Sequence, residues 1–168
     1  MSKFDLKDKV TVITGAAGGI GTFLTQEFLS AGAKVVLASR DLNKLNALAT
    51  ELNSENTLVV ETDIIDPASV EAMVKKVTDH FGRIDTLINN AGGGAMPKLP
   101  EDIPFEEWKR MIDVNLTGAF NCCIAVGKQM IKQASGKIIN VSSTAGTKGN
   151  PGMLHYSAAK AGLISITN

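Results

Sequence analysis

The sequence predicts an α/β fold, a parallel sheet with helices on both faces, and three observations carry that expectation. Short, apolar, β-branched runs alternate with helix-period patterns along the chain. Each run is apolar throughout rather than alternating, as strands buried on both faces should be. The patterns between the runs are bounded by capping and turn residues.

Taken in order, a first strand is expected over 9–14 and a helix over 19–31, which Gly32 can close with a left-handed turn. A second strand over 34–38 leads to a helix over 42–53, with Asp41 as N-cap. A third strand over 57–61 precedes a helix over 67–81, where Asp66 caps, Pro67 suits the first helical position and Gly82 closes the end. The fourth strand covers 86–89. An irregular stretch over 90–103, rich in Gly and Pro, follows it, and loops of that length are usually functional. A long helical pattern over 104–133, interrupted by Asn115, a fifth strand over 137–141 and a final helix from Leu154 complete the series.

With 168 residues, 44% of them apolar, the chain can bury one substantial core, so a single domain over 1–168 is expected. Seventeen basic residues balance 17 acidic ones, and no basic stripe stands out, which argues against a nucleic-acid partner. Runs such as Val35–Ala38 and Ile138–Val141 fall far short of the roughly 20 residues that span a bilayer. Residues 1–9 lack the apolar stretch of a secretory signal, so a cytoplasmic location is expected. Cys122 and Cys123 are adjacent in a helical pattern without the spacing of a zinc site; they read as reduced packing residues, and no metal is expected. The helix from Leu154 stops at Asn168 with Leu163, Ile164 and Ile166 lacking an evident cover, which reads as a sequence cut short on its C-terminal side.

Thr14, Gly15, Ala16, Ala17, Gly18, Gly19, Ile20 and Gly21 run directly from the first strand into a helix. Glycines let the backbone approach a pyrophosphate, and a helix N-terminus offers free N–H groups and partial positive charge. About 20 residues on, where an acid would grip the 2′-hydroxyl of an NAD ribose, stand Ser39 and Arg40. A guanidinium there suits a 2′-phosphate, which favours NADP over NAD; the alternative is that Arg40 simply pairs with Asp41.

Tyr156 and Lys160, four apart, share one helical face. A phenol is a poor base at neutral pH, and a neighbouring ammonium favours its phenolate, so the pair suits proton transfer. Ser143 lies just past the fifth strand, at the strand end where parallel sheets bind ligands, and could hold a substrate oxygen. Asn89 and Asn90 end the fourth strand, where buried amides also commonly bond to backbone.

Together these residues resemble the short-chain dehydrogenase/reductase family, through Thr14-Gly15-x-x-x-Gly19-x-Gly21, Asn89-Asn90-Ala91-Gly92, Asn115, Ser143 and Tyr156-x-x-x-Lys160. The resemblance implies a Rossmann-type doubly wound sheet of strand order 3-2-1-4-5 and hydride transfer between NADP(H) and a carbonyl or secondary alcohol. It implies that Tyr156 is the general acid/base and that Ser143 bonds the substrate oxygen. Lys160 would lower the tyrosine pKa and bind the nicotinamide ribose, while Asn115 would keep a proton-relay water. Gly15, Gly19, Ile20, Gly21, Ser39 and Arg40 would hold the cofactor, with Asp63 and Ile64 near the adenine and Asn90, Ala91 and Gly92 along the adenosine. For Asp63 a turn or cap role is an equal reading. His155 matches no catalytic position of the family and reads as a loop residue.

Members of the family are usually longer by several dozen residues, which supply two more strands and a lid. A protein ending at Asn168 would bind dinucleotide weakly and turn over little. By analogy a homodimer or homotetramer is expected. The competing readings are a non-catalytic dinucleotide-binding module, an inactive fragment, and a sugar-nucleotide epimerase, whose first turn generally reads Gly-x-x-Gly-x-x-Gly.

Overall fold

Val10–Thr14 (β1), five residues without a charge, lies fully buried at the centre of a five-stranded parallel sheet. The structure, a computed structural model, describes residues 5–168; residues 1–4, part of the stretch read above as leaderless, lie outside the described residues. Lys34–Ser39 (β2) flanks β1 on one side and Thr86–Asn89 (β4) on the other, with Val12 opposite both Val36 and Leu87. Thr57–Glu61 (β3) and Lys137–Asn140 (β5) form the margins, giving the order β3-β2-β1-β4-β5. This is the doubly wound topology expected. The margins depart from the expectation of burial on both faces: Ile139 of β5 is 46% exposed, and Thr57, Leu58 and Val59 of β3 are only partly covered. In the order 3-2-1-4-5 these are the two outer strands described, each paired on one side alone.

Alternate residues of each strand feed two cores, as the two-residue period of a strand requires. Val12, Val36 and Leu87 pack with Val70, Met73 and Val77 of α3 (Pro67–Phe81) and with Cys122 and Val126 of α5 (Gly118–Lys132). Ile13, Val35, Leu37 and Ile88 pack on the opposite face with Leu24 and Phe28 of α1 (Gly19–Ser30) and Leu45 and Leu48 of α2 (Leu42–Leu52). Cys122 is thus the packing residue anticipated, its thiol pushed up to about 12 chiefly by burial. The helix ends carry the foreseen devices: Asp41 accepts from the Lys44 N–H, Asp66 accepts from the Ala68 N–H, and Gly32 and Gly82 take positive φ.

The long pattern over 104–133 is not one helix. It divides into α4 (Phe105–Ile112), a π turn over Asp113–Thr117 and α5. At the turn the Gly118 N–H reaches back to the Asp113 carbonyl, five residues away, and Asn115 donates its side-chain N–H to the Met111 carbonyl at 3.1 Å. Gly118 is required where the turn passes the sheet's helical layer, since a Cβ there would lie 2.5 Å from Ile64. A short helix, α6 (Ala145–Lys148), and α7 (Leu154–Ser165) close the described chain. His155, read as a loop residue, lies instead in the first turn of α7 and is fully buried. No described helix is long and apolar enough to cross a membrane.

Candidate active site

The chain runs outward from β1 to β3 and then crosses over to β4, so the connections leaving the C-terminal ends of β1 and β4 diverge. In such sheets that divergence leaves a crevice. Here it is an open cleft of about 680 Å³, lined from each of the four strand ends in turn.

The turn after β1 forms one wall. Gly15 has φ +65, and a Cβ on it would lie 2.8 Å from the Ala91 Cα; on Gly21 a Cβ would lie 2.1 Å from the Gly15 carbonyl oxygen. Both positions need glycine for close backbone packing. Gly19 differs, because nothing lies within 4 Å of where its Cβ would be. That open face, together with a helix start at Gly18 that no side chain caps, is what an incoming anion requires. Thr14 locks the wall in place: its hydroxyl accepts from the Asn90 and Ala91 N–H groups, while the Asn90 amide donates to the Thr14 and Gly15 carbonyls. The Asn90 side chain thus bonds to backbone and shapes the cleft at the same time. Asn89 points elsewhere, donating to Asn140, Cys123 and the Ala119 carbonyl.

Ser39 and Arg40 line the far end, as expected, with Ile20, Asp63 and Ile64 alongside. Arg40 does not pair with Asp41. Asp41 is held by Lys44, through the backbone N–H at 3.0 Å and the ammonium at 3.2 Å, and these contacts keep its carboxyl below the usual range. Among the described residues no carboxylate lies within ion-pair distance of Arg40. Lys44 also lines this end, and the sequence reading missed it. Its signal was its place one turn into the helix that follows β2, which sets it beside the end of that strand. Asp63 accepts from the Ile65 N–H, so it makes a turn as well as lining the cleft.

Gly92 also lines the cleft, and the second group of residues begins behind it. A Cβ on Gly92 would lie 2.7 Å from Asn115 Oδ1 and 3.5 Å from Lys160 Nζ. Asn115, fully buried at the π turn, also bonds Gly93 through both its amide groups, accepting from the N–H and donating to the carbonyl. Lys160 is 5% exposed; burial draws its pKa down, and its ammonium donates to the Val141 carbonyl at 2.9 Å just past β5. It stands 5.8 Å from the centre of the half-buried Tyr156 ring. Ser143 sits two residues beyond Val141 and accepts from the Ala145 N–H. The short helix it precedes lies flush on α7, for a Cβ on Gly146 would lie 2.7 Å from Lys160 backbone, and Ser142 donates to the Lys160 carbonyl.

The family model described as short chain dehydrogenase matches residues 9–168. The chain belongs to that family. Among curated relatives, a 3-oxoacyl-[acyl-carrier-protein] reductase of Synechocystis is 40% identical over 165 residues, 96% of this chain and 66% of the relative. Among solved structures, a 3-ketoacyl-(acyl-carrier-protein) reductase of Brucella melitensis complexed with NADH matches with TM-score 0.92 at 34% identity, over 97% of this chain and 68% of that one. An NAD⁺-bound xylitol dehydrogenase matches with TM-score 0.90 at 32% identity, over 98% and 64%. The chain therefore spans about two thirds of the length of these relatives.

Proposed function

We propose that residues 1–168 form one dinucleotide-binding domain of an oxidoreductase that transfers a hydride between NADP(H) and a carbonyl or secondary-alcohol carbon. The observation that carries this reading is Gly92, a residue lining the cleft with Asn115 and Lys160 packed behind it, so that a Cβ there would lie 2.7 Å from Asn115 Oδ1 and 3.5 Å from Lys160 Nζ. The residues fit a dinucleotide. The Gly19 face is open for a pyrophosphate, Asn90 to Gly92 flank the adenosine side, and the cleft is of a size that holds such ligands. When bound, the nicotinamide supplies or accepts the hydride.

The chain's own work is placement and proton transfer. Tyr156 gives a proton to the substrate oxygen in reduction and takes one in oxidation. Lys160, anchored by the Val141 carbonyl, keeps its positive charge beside the ring and reaches the nicotinamide ribose. Ser143 holds the substrate oxygen. Asn115, through Gly93 and Met111, keeps the cleft's inner end in shape and stands where a relay water would sit beside Lys160. Arg40, clear of carboxylates, and Lys44 favour the 2′-phosphate of NADP, although the two solved relatives named above hold NADH and NAD⁺. Exposed Phe120 and Ile124, four apart on α5, support pairing into a homodimer or homotetramer.

The decisive experiment is Tyr156→Phe. Turnover of a carbonyl panel should fall at least about a hundredfold while dinucleotide affinity is kept. A variant that binds and still turns over would end the acid–base assignment. Tight binding with no turnover in the parent protein would favour the non-catalytic module.

A further inference from the structure

Beside the proposed site, the structure holds an ionic cluster that this chemistry does not use. Its centre is Glu107, in the first turn of α4. One carboxylate oxygen takes the Lys98 ammonium, and the other lies 3.3 Å from His155 Nε2. His155 is fully buried, neither ring nitrogen meets hydrogen-bond geometry, and Glu107 is the carboxylate within ion-pair range of it among the described residues. A buried ring in that condition carries a desolvation cost, and a role for its position would explain why the fold keeps it.

The three residues sit on three separate segments that border the site. Lys98 belongs to the irregular stretch over 90–103, which begins at the cleft with Asn90 to Gly92 and bonds Asn115 at Gly93. His155 immediately precedes Tyr156 in the first turn of α7, a helix start that no side chain caps. A second tie joins the same two segments: the Lys98 N–H donates to the Gly152 carbonyl at 2.9 Å, and a Cβ on Gly152, which has φ +76, would meet Pro97 at 3.1 Å. Glu107 therefore bridges the loop and the turn that carries the tyrosine, with its charge at the favourable N-terminal ends of helices.

We propose that Glu107 is a positioning residue, which braces Lys98 and His155 and so fixes the Tyr156 hydroxyl against the loop that walls the substrate space. The proposal rests on Tyr156 as the acid/base group. Misplacing a reacting group by about 1 Å can cost about a hundredfold in rate, so a brace of this kind acts on kcat.

The test uses Glu107→Gln, Glu107→Asp, Lys98→Met and His155→Gln in the full chain. Glu107→Gln should lower kcat by about ten- to a hundredfold and leave dinucleotide Kd within about twofold, and Glu107→Asp should restore most of the loss. Lys98→Met should add nothing once Glu107 is Gln, because the pair acts as a unit. Two readouts need no turnover. Hydrogen exchange over 94–103 and 153–157 should quicken in Glu107→Gln, and the His155 ring-proton resonance should shift; with two histidines in the chain, His80→Gln assigns it. Wild-type kcat in Glu107→Gln, alongside a dead Tyr156→Phe, would overturn the brace and spare the function. Unchanged exchange and an unmoved resonance would overturn it whatever the turnover. A live Tyr156→Phe would instead sink the functional reading, and the exchange data would still judge the brace. If Glu107→Gln melts early, Lys98→Met alone, at a half-buried side chain, carries the test: kcat should fall and exchange over 94–103 and 153–157 should quicken, and wild-type values of both would overturn the brace.

Discussion

The two ends of the sheet are built on opposite principles. At the N-terminal end the buried charge is answered on several sides. Asp85, 8% exposed, accepts from the Val10 N–H and from two guanidinium nitrogens of Arg83, with Lys9 at 3.7 Å, and Gln133 bonds both the N–H and the carbonyl of Ile84. At the C-terminal end the chain leaves room: Gly19 faces open space, no side chain caps α1, and Arg40 is clear of carboxylates. One end stabilises the fold, and the other keeps donors and charge available for a ligand.

Breaking the closed end should give the largest effect. Asp85→Ala leaves the Val10 N–H and a guanidinium without their partner and should cost about 2–4 kcal/mol in urea unfolding, with dinucleotide affinity of the folded protein unchanged. Breaking the open end should do the reverse. Gly21→Ala forces a Cβ toward the Gly15 carbonyl at 2.1 Å, and dinucleotide Kd should rise about ten- to a hundredfold for about 1–3 kcal/mol of stability. Arg40→Gln is milder still. It should weaken NADPH about tenfold in equilibrium titration and leave NADH alone, and tighter NADH binding by the parent protein would reverse the cofactor assignment.

The smallest effect sharpens the contrast by pH. Burial pushes the Asp85 carboxyl up, but hydrogen bonds from Arg83 and Val10 and the charges of Arg83 and Lys9 outweigh it and hold the value below the usual carboxylate range. A folded pKa below the unfolded one contributes stability that is present above the unfolded value and lost as pH falls through the folded one. The stability gap between the parent and Asp85→Asn should therefore be constant near neutrality and narrow on acidification below about pH 4. A gap that held steady down to pH 2 would show that Asp85 acts by shape rather than charge.

What the sequence disclosed was local. A β-branched run ending in Thr14 and a glycine turn specify their own geometry, and Asp41 and Asp66 cap helices three and two residues away. The π turn needed a competitor for a backbone acceptor, the Asn115 amide, which also bonds Gly93, 22 residues distant. His155 read as a loop residue because it matches no catalytic position of the family, and its burial depends on α4 packing against α7; Lys44 belongs to no motif, and the pairing weighed for Asp41 was with Arg40.

The π turn has one further consequence for the chain's evolution. Its extra residue sets the rotational phase of everything downstream in α5. Losing one residue from 113–117 would let the segment close to an ordinary helix with Cys122, Val126 and Met130 still facing the sheet, whereas closing it at full length would swing them about 100° around the axis. Single-residue deletions there should therefore be better tolerated by α5 than deletions further along it, with their cost falling on Asn115 and its bonds to Gly93.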